Sequence, residues 1–562
     1  MKNTYLDLME RTLSAYSEEH ILRYFADVKR EGLTEHGFPR LTANIGILIS
    51  HGRRVELLPL FLEMMDLCCK MFLRPYVKAA NEFSVREIIS CILEVERAEI
   101  VEAERILAWK RDLAAIVPAE CYNTYQKSVN GVARNWAIFM ALSELFRHNL
   151  GLCDAEDFLD EHLSHQFQWL DENGMYMDHK GTDVYHPIVY DLVSRGLFAL
   201  LLHYGYRGKY RTAMDECLRH SGLLTLKMQS ANGELAFGGR SNQFVHNEGW
   251  LAMILEYEAS RYAKEGNFAL AKTFKSAVAR ALAVTEKWLS EESLRHIKNR
   301  FATETSYGCE DYGYFDKYMI TVASLLYNAY LVCDDSIPVE EAPDLAPSAW
   351  QSTYHFHKIF LKSGGYSLEF DTNADPEYDA TGLGRIHRTG APSTICLSLP
   401  CPENPIYTVD AQGLSALSLC SGVLQNGTWH YAADGDAEYE VTELTEGEAY
   451  ASASLICRFS GAQDVTEHYR VDESGVSVEL ASNGELSYLL PAFCFDGERH
   501  STVDLCGNVL TVTYEGWICR YTADGVIEDT GRICRNRNGH YRAYAVRGRD
   551  ALSLRVRILP LQ

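Results

Sequence analysis

The sequence predicts an α+β multidomain chain, an (α/α)6 toroid followed by an antiparallel β-sandwich, and three observations predict it. Apolar runs of helical period recur at a nearly regular interval up to about Leu331. A stretch rich in Pro and acids, SIPVEEAPDLAPSAW (336–350), then ends them. Beyond it short alternating runs take over, with Gly, Asn and Asp between them.

The helical runs are ANIGILISH, EIISCILEVERA, AIFMALSELFRH, VSRGLFALLLHYG, GWLAMILEYEASRYA and YMITVASLLYNAYLV, starting near residues 41, 84, 135, 187, 247 and 313. Small and apolar residues occupy more than one face of each, as expected of helices surrounded by others. The intervals of 43, 51, 52, 60 and 66 residues each leave room for a more charged partner, such as SHQFQWLDE or LAKTFKSAVARALAVTEKWLSEE. Six inner and six outer helices make a closed ring; the alternative is an irregular bundle or solenoid. The toroid is expected over 1–335, a linker over 336–350 and the β-sandwich over 351–562, the last from runs such as KIFLKSGGYSLEFDT, STICLSLP and LSLRVRILP.

A length of 562 residues implies two or three domains, and 47% hydrophobic with 11% aromatic residues excludes disorder. A net charge of -24 without a basic stripe excludes nucleic acid as a partner. An acidic sugar is still compatible, provided that arginines and histidines gather in the cleft. The opening MKNTYLDLMERTLSAYSEEH is an acidic amphipathic helix pattern without a signal-type apolar run, and no stretch has the length of a membrane span, so no membrane partner is expected. Sixteen cysteines without CxxC pairs read as reduced, buried thiols, which points to the cytoplasm. The oligomeric state stays open, a homo-oligomer included.

Polar and aromatic clusters precede the inner helices, and a rim that gathers such groups is where a sugar-cleaving site is built. In NGVARNW (130–136), Asn135 opens a helix; its amide can donate to a substrate carboxylate, or simply cap the helix. Trp136 can be a sugar-stacking platform or a core anchor. In NGMYMDHKGTDVYHPIVYD (173–191), Tyr185 stands one helix pair beyond Asn135, with Asp178, His179, Asp183, His186 and Tyr190 around it. A tyrosine beside His or Arg can take the C5 proton of a uronic acid and return a proton to the leaving oxygen; the structural alternative is a ring-packing aromatic. In FGGRSNQFVHNEGW (237–250), Arg240 is one helix pair further on and can clamp a carboxylate bidentately, or serve as a loop charge; His246 and Glu248 follow it. ETSYGCEDYGYFDKY (304–318) adds Glu304, Glu310, Asp311 and Tyr312, whose carboxylates keep a hydrolytic pair in play. In the β region, YDATGLGRIHRTG (378–390) reads as a polar loop whose Arg385 and His387 reach over the ring. His355, His357 and His430 lack acids at ligand spacing, so no metal and no other cofactor is expected.

NWAIF (135–139), YMDHKGTDVYHP (176–187), FGGRS (237–241), ETSYGCEDYGYF and HKIFLKSGGYSLEFD together resemble a bacterial domain-of-unknown-function family that pairs a helical toroid with a β-rich C-terminal region. The layout is similar to toroid polysaccharide lyases of the heparinase II/III, alginate lyase and chondroitin AC lyase types. The resemblance implies an Asn that neutralises the uronate, a Tyr working with a His on the proton, and an assisting Arg. Carried over by motif, these roles fall on Asn135, Tyr185, His179 or His186, and Arg240. The heparinase pattern of two alternating histidines followed by Asp is absent, since RIHR offers only His387.

The expectation is therefore an enzyme that cleaves uronic-acid-containing oligosaccharides by β-elimination from the chain end. Trp136, Asp178, Asp183, Tyr190, His246, Glu248, Tyr312, Arg385 and His387 would contact the substrate. The alternatives are an exo-glucuronidase using carboxylates among Asp178, Asp183, Glu248, Glu304, Glu310 and Asp311, and a non-catalytic sugar-binding toroid.

Overall fold

A computed structural model describes residues 1–75, 81–178, 184–340 and 346–561. Six helices form an inner ring: Gly37–Ser50, Asn81–Arg97, Asn135–Asn149, Ile188–His203, Asn247–Lys264 and Phe315–Val332. Each packs on the next and the sixth packs back on the first, which closes the ring. Outer helices Leu58–Met71, Ala103–Ala114, Glu156–Leu163, Arg211–Met228 and Phe268–Leu289 follow the first five and pack on them in turn. The sixth inner helix takes its outer partner, Lys2–Leu13, from the start of the chain. This is the (α/α)6 toroid that the spacing of apolar runs predicts.

The inner helices have no solvent face to spare, and from Gly37 to Ile49 every residue is buried. At Gly46 a β-carbon would stand 2.4 Å from both the Phe61 ring and Cys91 Sγ. Glycine there lets the first inner helix lie against its outer partner and its ring neighbour together. Several of the polar groups buried inside the ring pair across helices. Arg40 donates to Glu87 at 3.0 Å and to Thr321 at 2.7 Å, tying the first, second and sixth inner helices.

Strands begin at Ser348. Ser348–Gln351, Lys358–Ser363, Tyr366–Asp371 and Gly382–Arg388 pair in chain order as an antiparallel sheet. Its central hairpin turns on Gly364 and Gly365 at φ of 56° and 77°, the two-residue geometry that matches strand twist. An 11-stranded antiparallel sheet follows and shares a core with the first, as where Phe370 meets Tyr469 edge-on at 4.7 Å.

The smaller sheet is covered on both faces, by the larger sheet and by the helical ring. Across the ring side, the Phe237 N–H donates to Glu369 at 3.2 Å and the Gly239 N–H to Asp379 at 2.8 Å. That corrects the expectation for 378–390. Gly382–Arg388 is a buried edge strand of the smaller sheet rather than a free polar loop, and Arg385 and His387 are each 1% exposed. Arg385 donates to the carbonyls of Ser398 and Leu235 and pairs with Glu369 at 3.0 Å, and His387 Nδ1 lies 3.0 Å from the Ser230 hydroxyl. Both fasten the ring to the sheet, and neither lines the cavity at the mouth of the ring. Among the described residues no helix is long and apolar enough to cross a membrane.

Candidate active site

The first turns of all six inner helices, with the loops that lead into them, line one cavity of about 390 Å³. Six helix N-termini at one mouth bring their positive dipole ends together, a setting that favours anions. A second cavity, of about 570 Å³, lies beside the first. Asn135, Trp136 and Arg240 line both and so form the wall between them.

Asp178 organises that wall. The Asn135 side-chain amide donates to its Oδ1 at 2.7 Å, and Arg240 Nη2 donates to its Oδ2 at 2.6 Å. Burial raises the Asp178 carboxyl above the usual carboxylate range, against the pull of Arg240 and Asn135. Asn135 caps no helix, and Arg134 holds the cap position instead. Arg240 remains 35% exposed, lies 4.2 Å over the Tyr190 ring, and has an Nε without a partner. With only one nitrogen on Asp178, the guanidinium keeps donors for a ligand, as does the second N–H of the Asn135 amide. Trp136 meets Phe83 edge-on at 4.9 Å and offers the rest of its face to the cavity.

Two phenols share a hydroxyl behind Arg240. Ser241 Oγ lies 3.1 Å from the Tyr190 hydroxyl and 2.9 Å from that of Tyr312. Ser241 is held there at φ 59° by its N–H, which donates to Glu310 at 2.7 Å. Glu310 in turn pairs at 2.7 Å with Arg537, in the turn that joins the last two strands of the large sheet, which keeps it ionised despite burial. Burial raises both phenols, so Tyr190 and Tyr312 are protonated at neutral pH. The two cavity imidazoles go the other way. Burial, then nearby cations led by Arg40, holds His36 and His246 well below 6.5. Each is neutral and has a buried Nδ1 with no hydrogen-bond partner. His246 packs against Phe244 and Tyr318, at 5.5 and 5.1 Å, and those two rings also touch each other at 4.9 Å.

Other residues singled out in the sequence stand elsewhere. Tyr185 lines neither cavity; at φ 65° its ring meets His357 edge-on at 5.8 Å, and its hydroxyl lies 3.4 Å from Asn373 Oδ1. His186 is buried beside His355 and Phe356. His179 and Asp183 lie outside the described residues. Glu248 is fully buried and accepts from Lys298 at 2.5 Å. Glu304 and Asp311 are exposed and line neither cavity. Among the described residues no three His, Cys, Asp or Glu side chains are grouped to hold a metal ion.

Glu35, His36, Arg40, Lys317 and Tyr318 line the cavity without having been singled out. Their signal is the same as that of Asn135: TEHGFPR and YFDKY are polar-aromatic runs that lead into apolar helices.

No family model matches the chain, and no curated protein matches it. Among solved structures it is similar to the heparan sulfate lyase HepC from Pedobacter heparinus, with a TM-score of 0.37 at 10% identity over 89% of this chain and 83% of that one. A heparinase III gives 0.35 at 8% identity over 85% and 76%. A polysaccharide lyase gives 0.35 at 11% identity over 59% and 97%. Scores and identities this low leave the chemistry to be read from the residues themselves.

Proposed function

We propose that this chain is a carbohydrate-active lyase that cleaves the bond to a uronic acid in short oligosaccharides by β-elimination. One observation carries the proposal: Asn135 and Arg240, 105 residues apart in sequence, are held by one buried carboxylate on the wall of an aromatic-lined cavity where six helix N-termini meet. The free donors of both suit a uronate carboxylate, whose charge grows as the neighbouring carbon loses its proton. A neutral imidazole, His246 or His36, suits the base that removes the C5 proton. The C–H electrons form the new double bond, the bond from C4 to oxygen breaks, and a protonated phenol, Tyr190, supplies the proton to the leaving oxygen. As part of the same proposal we assign exo action, in which one chain end of the oligosaccharide enters this cavity.

Paired-carboxylate hydrolysis has less support. Glu248, Glu304, Glu310 and Asp311 line neither cavity, and both oxygens of Asp178 are engaged. All sixteen cysteines are free thiols, which suits a reducing compartment, and we assign the enzyme to the cytoplasm. The test is to incubate the protein with uronate oligosaccharides and follow ultraviolet absorbance. A conjugated double bond in the product supports elimination, a saturated uronic acid means hydrolysis, and binding without turnover means a sugar-binding protein.

A further inference from the structure

Five lysines are buried among the described residues: Lys275, Lys298, Lys317, Lys358 and Lys362. Burying an ammonium is costly unless an oxygen pairs with it, and four of the five follow that rule. Lys275 pairs with Glu256 at 2.7 Å, Lys298 with Glu248 at 2.5 Å and Lys358 with Asp371 at 2.9 Å, and Lys362 donates to the Leu226 carbonyl at 2.7 Å. Lys317 is the exception. It is 8% exposed, and its ammonium has neither a hydrogen bond nor an ion pair with any described residue. Its ammonium stands 4.7 Å from the Tyr314 and Tyr318 ring centres and 5.5 Å from that of Tyr312. The acid that acts on it most, Glu35, is already occupied by the Tyr24 hydroxyl and the Gly37 N–H.

Lys317 lines the same 390 Å³ cavity as Asn135 and Arg240. It lies in the first turn of the sixth inner helix, Asn135 in that of the third, and the order of the ring sets these two helices on opposite walls. Burial draws the ammonium down to about 8, so it still carries its charge at neutral pH. A ligand that is anchored at Asn135 and Arg240 and spans the cavity would meet this cation on the far wall.

We propose that Lys317 is a second anion subsite, which takes the carboxylate or O-sulfate of the sugar adjoining the uronate held by Asn135 and Arg240, and so selects substrates charged on both rings. The proposal rests on the uronate reading of the site and adds to it a requirement for a second charge.

Titration calorimetry with three disaccharides tests it: one uronate beside a neutral sugar, two uronates, and one uronate beside an O-sulfated sugar. The wild-type protein should bind at least one doubly charged ligand about ten- to a hundredfold more tightly than the singly charged one, the span of a charge-assisted hydrogen bond. Lys317→Met should abolish that preference and leave the affinity for the singly charged ligand unchanged. Lys317→Arg should keep most of the preference, which separates lost charge from a damaged fold. Whichever doubly charged ligand loses affinity identifies carboxylate or sulfate as the group bound. A wild-type protein that binds the single uronate but shows no preference overturns this proposal alone. Equal weakening of all three ligands by Lys317→Met overturns it too. A wild-type protein that binds none of them overturns the uronate reading as well.

Discussion

Replacing Asp178 with Asn tests the wall of the cavity without changing its shape. The carboxylate accepts from Asn135 at 2.7 Å and Arg240 at 2.6 Å. Hydrogen bonds to a charged group contribute about 1.5–3 kcal/mol each. In Asp178→Asn the new carbonyl still accepts one donor, more weakly than the carboxylate did, while the new NH2 meets the other head-on. Arg240 is 35% exposed, so water takes up part of its loss. A net cost of about 2–3 kcal/mol in the geometry of the two donors follows. If that cost falls on the transition state, it lowers kcat/KM about 30- to 150-fold. The assay is the initial rate of ultraviolet absorbance on a uronate oligosaccharide, with circular dichroism to confirm the fold. An Asp178→Asn protein that is folded and turns over at the wild-type rate would refute the role given to this carboxylate.

Three further outcomes are expected. Tyr190→Phe should lower kcat about 100-fold or more, the contribution of a general acid, while Tyr185→Phe stays close to wild type; the reverse would move proton transfer to the junction beside His357. Affinity for doubly charged ligands should be full below about pH 8 and fall as pH rises through that value, because Lys317 then loses its proton, while affinity for singly charged ligands stays flat; calorimetry across this range checks it. Burial holds His387 down to about 3 against an ordinary 6.5, so between those values the unfolded chain takes up a proton that the folded chain refuses, and stability is lost as pH falls. His387→Gln should flatten that acid limb in denaturant titrations at successive pH values, and an unchanged limb would contradict the assignment.

The ring was legible because its signal is periodic. Inner helices begin at Gly37, Asn81, Asn135, Ile188, Asn247 and Phe315, each within a few residues of the start of an apolar run. Asn135, Trp136, Tyr190, Arg240, His246 and Tyr312 were legible as cavity residues for a related reason, since polar residues just ahead of buried helices collect at one rim. The hub at Asp178 was not. Its bonds span 43 and 62 residues, and nothing local distinguishes it from the other acids of its cluster. The strand Gly382–Arg388 read as a loop because its glycines look like turn residues. Gly384 serves close approach instead, since a β-carbon there would stand 2.4 Å from the Phe237 ring. Tyr185 was placed by chain order, and its left-handed backbone turns it toward Asn373 and His357 rather than into the ring.

The most direct measurement is a crystal structure of the Tyr190→Phe protein soaked with a uronate oligosaccharide. The uronate carboxylate should lie at about 3 Å, hydrogen-bond distance, from the Asn135 amide and a free nitrogen of Arg240, with C5 facing His246 or His36. A sugar bound with its carboxylate in solvent, or seated away from Asn135 and Arg240, would contradict the account.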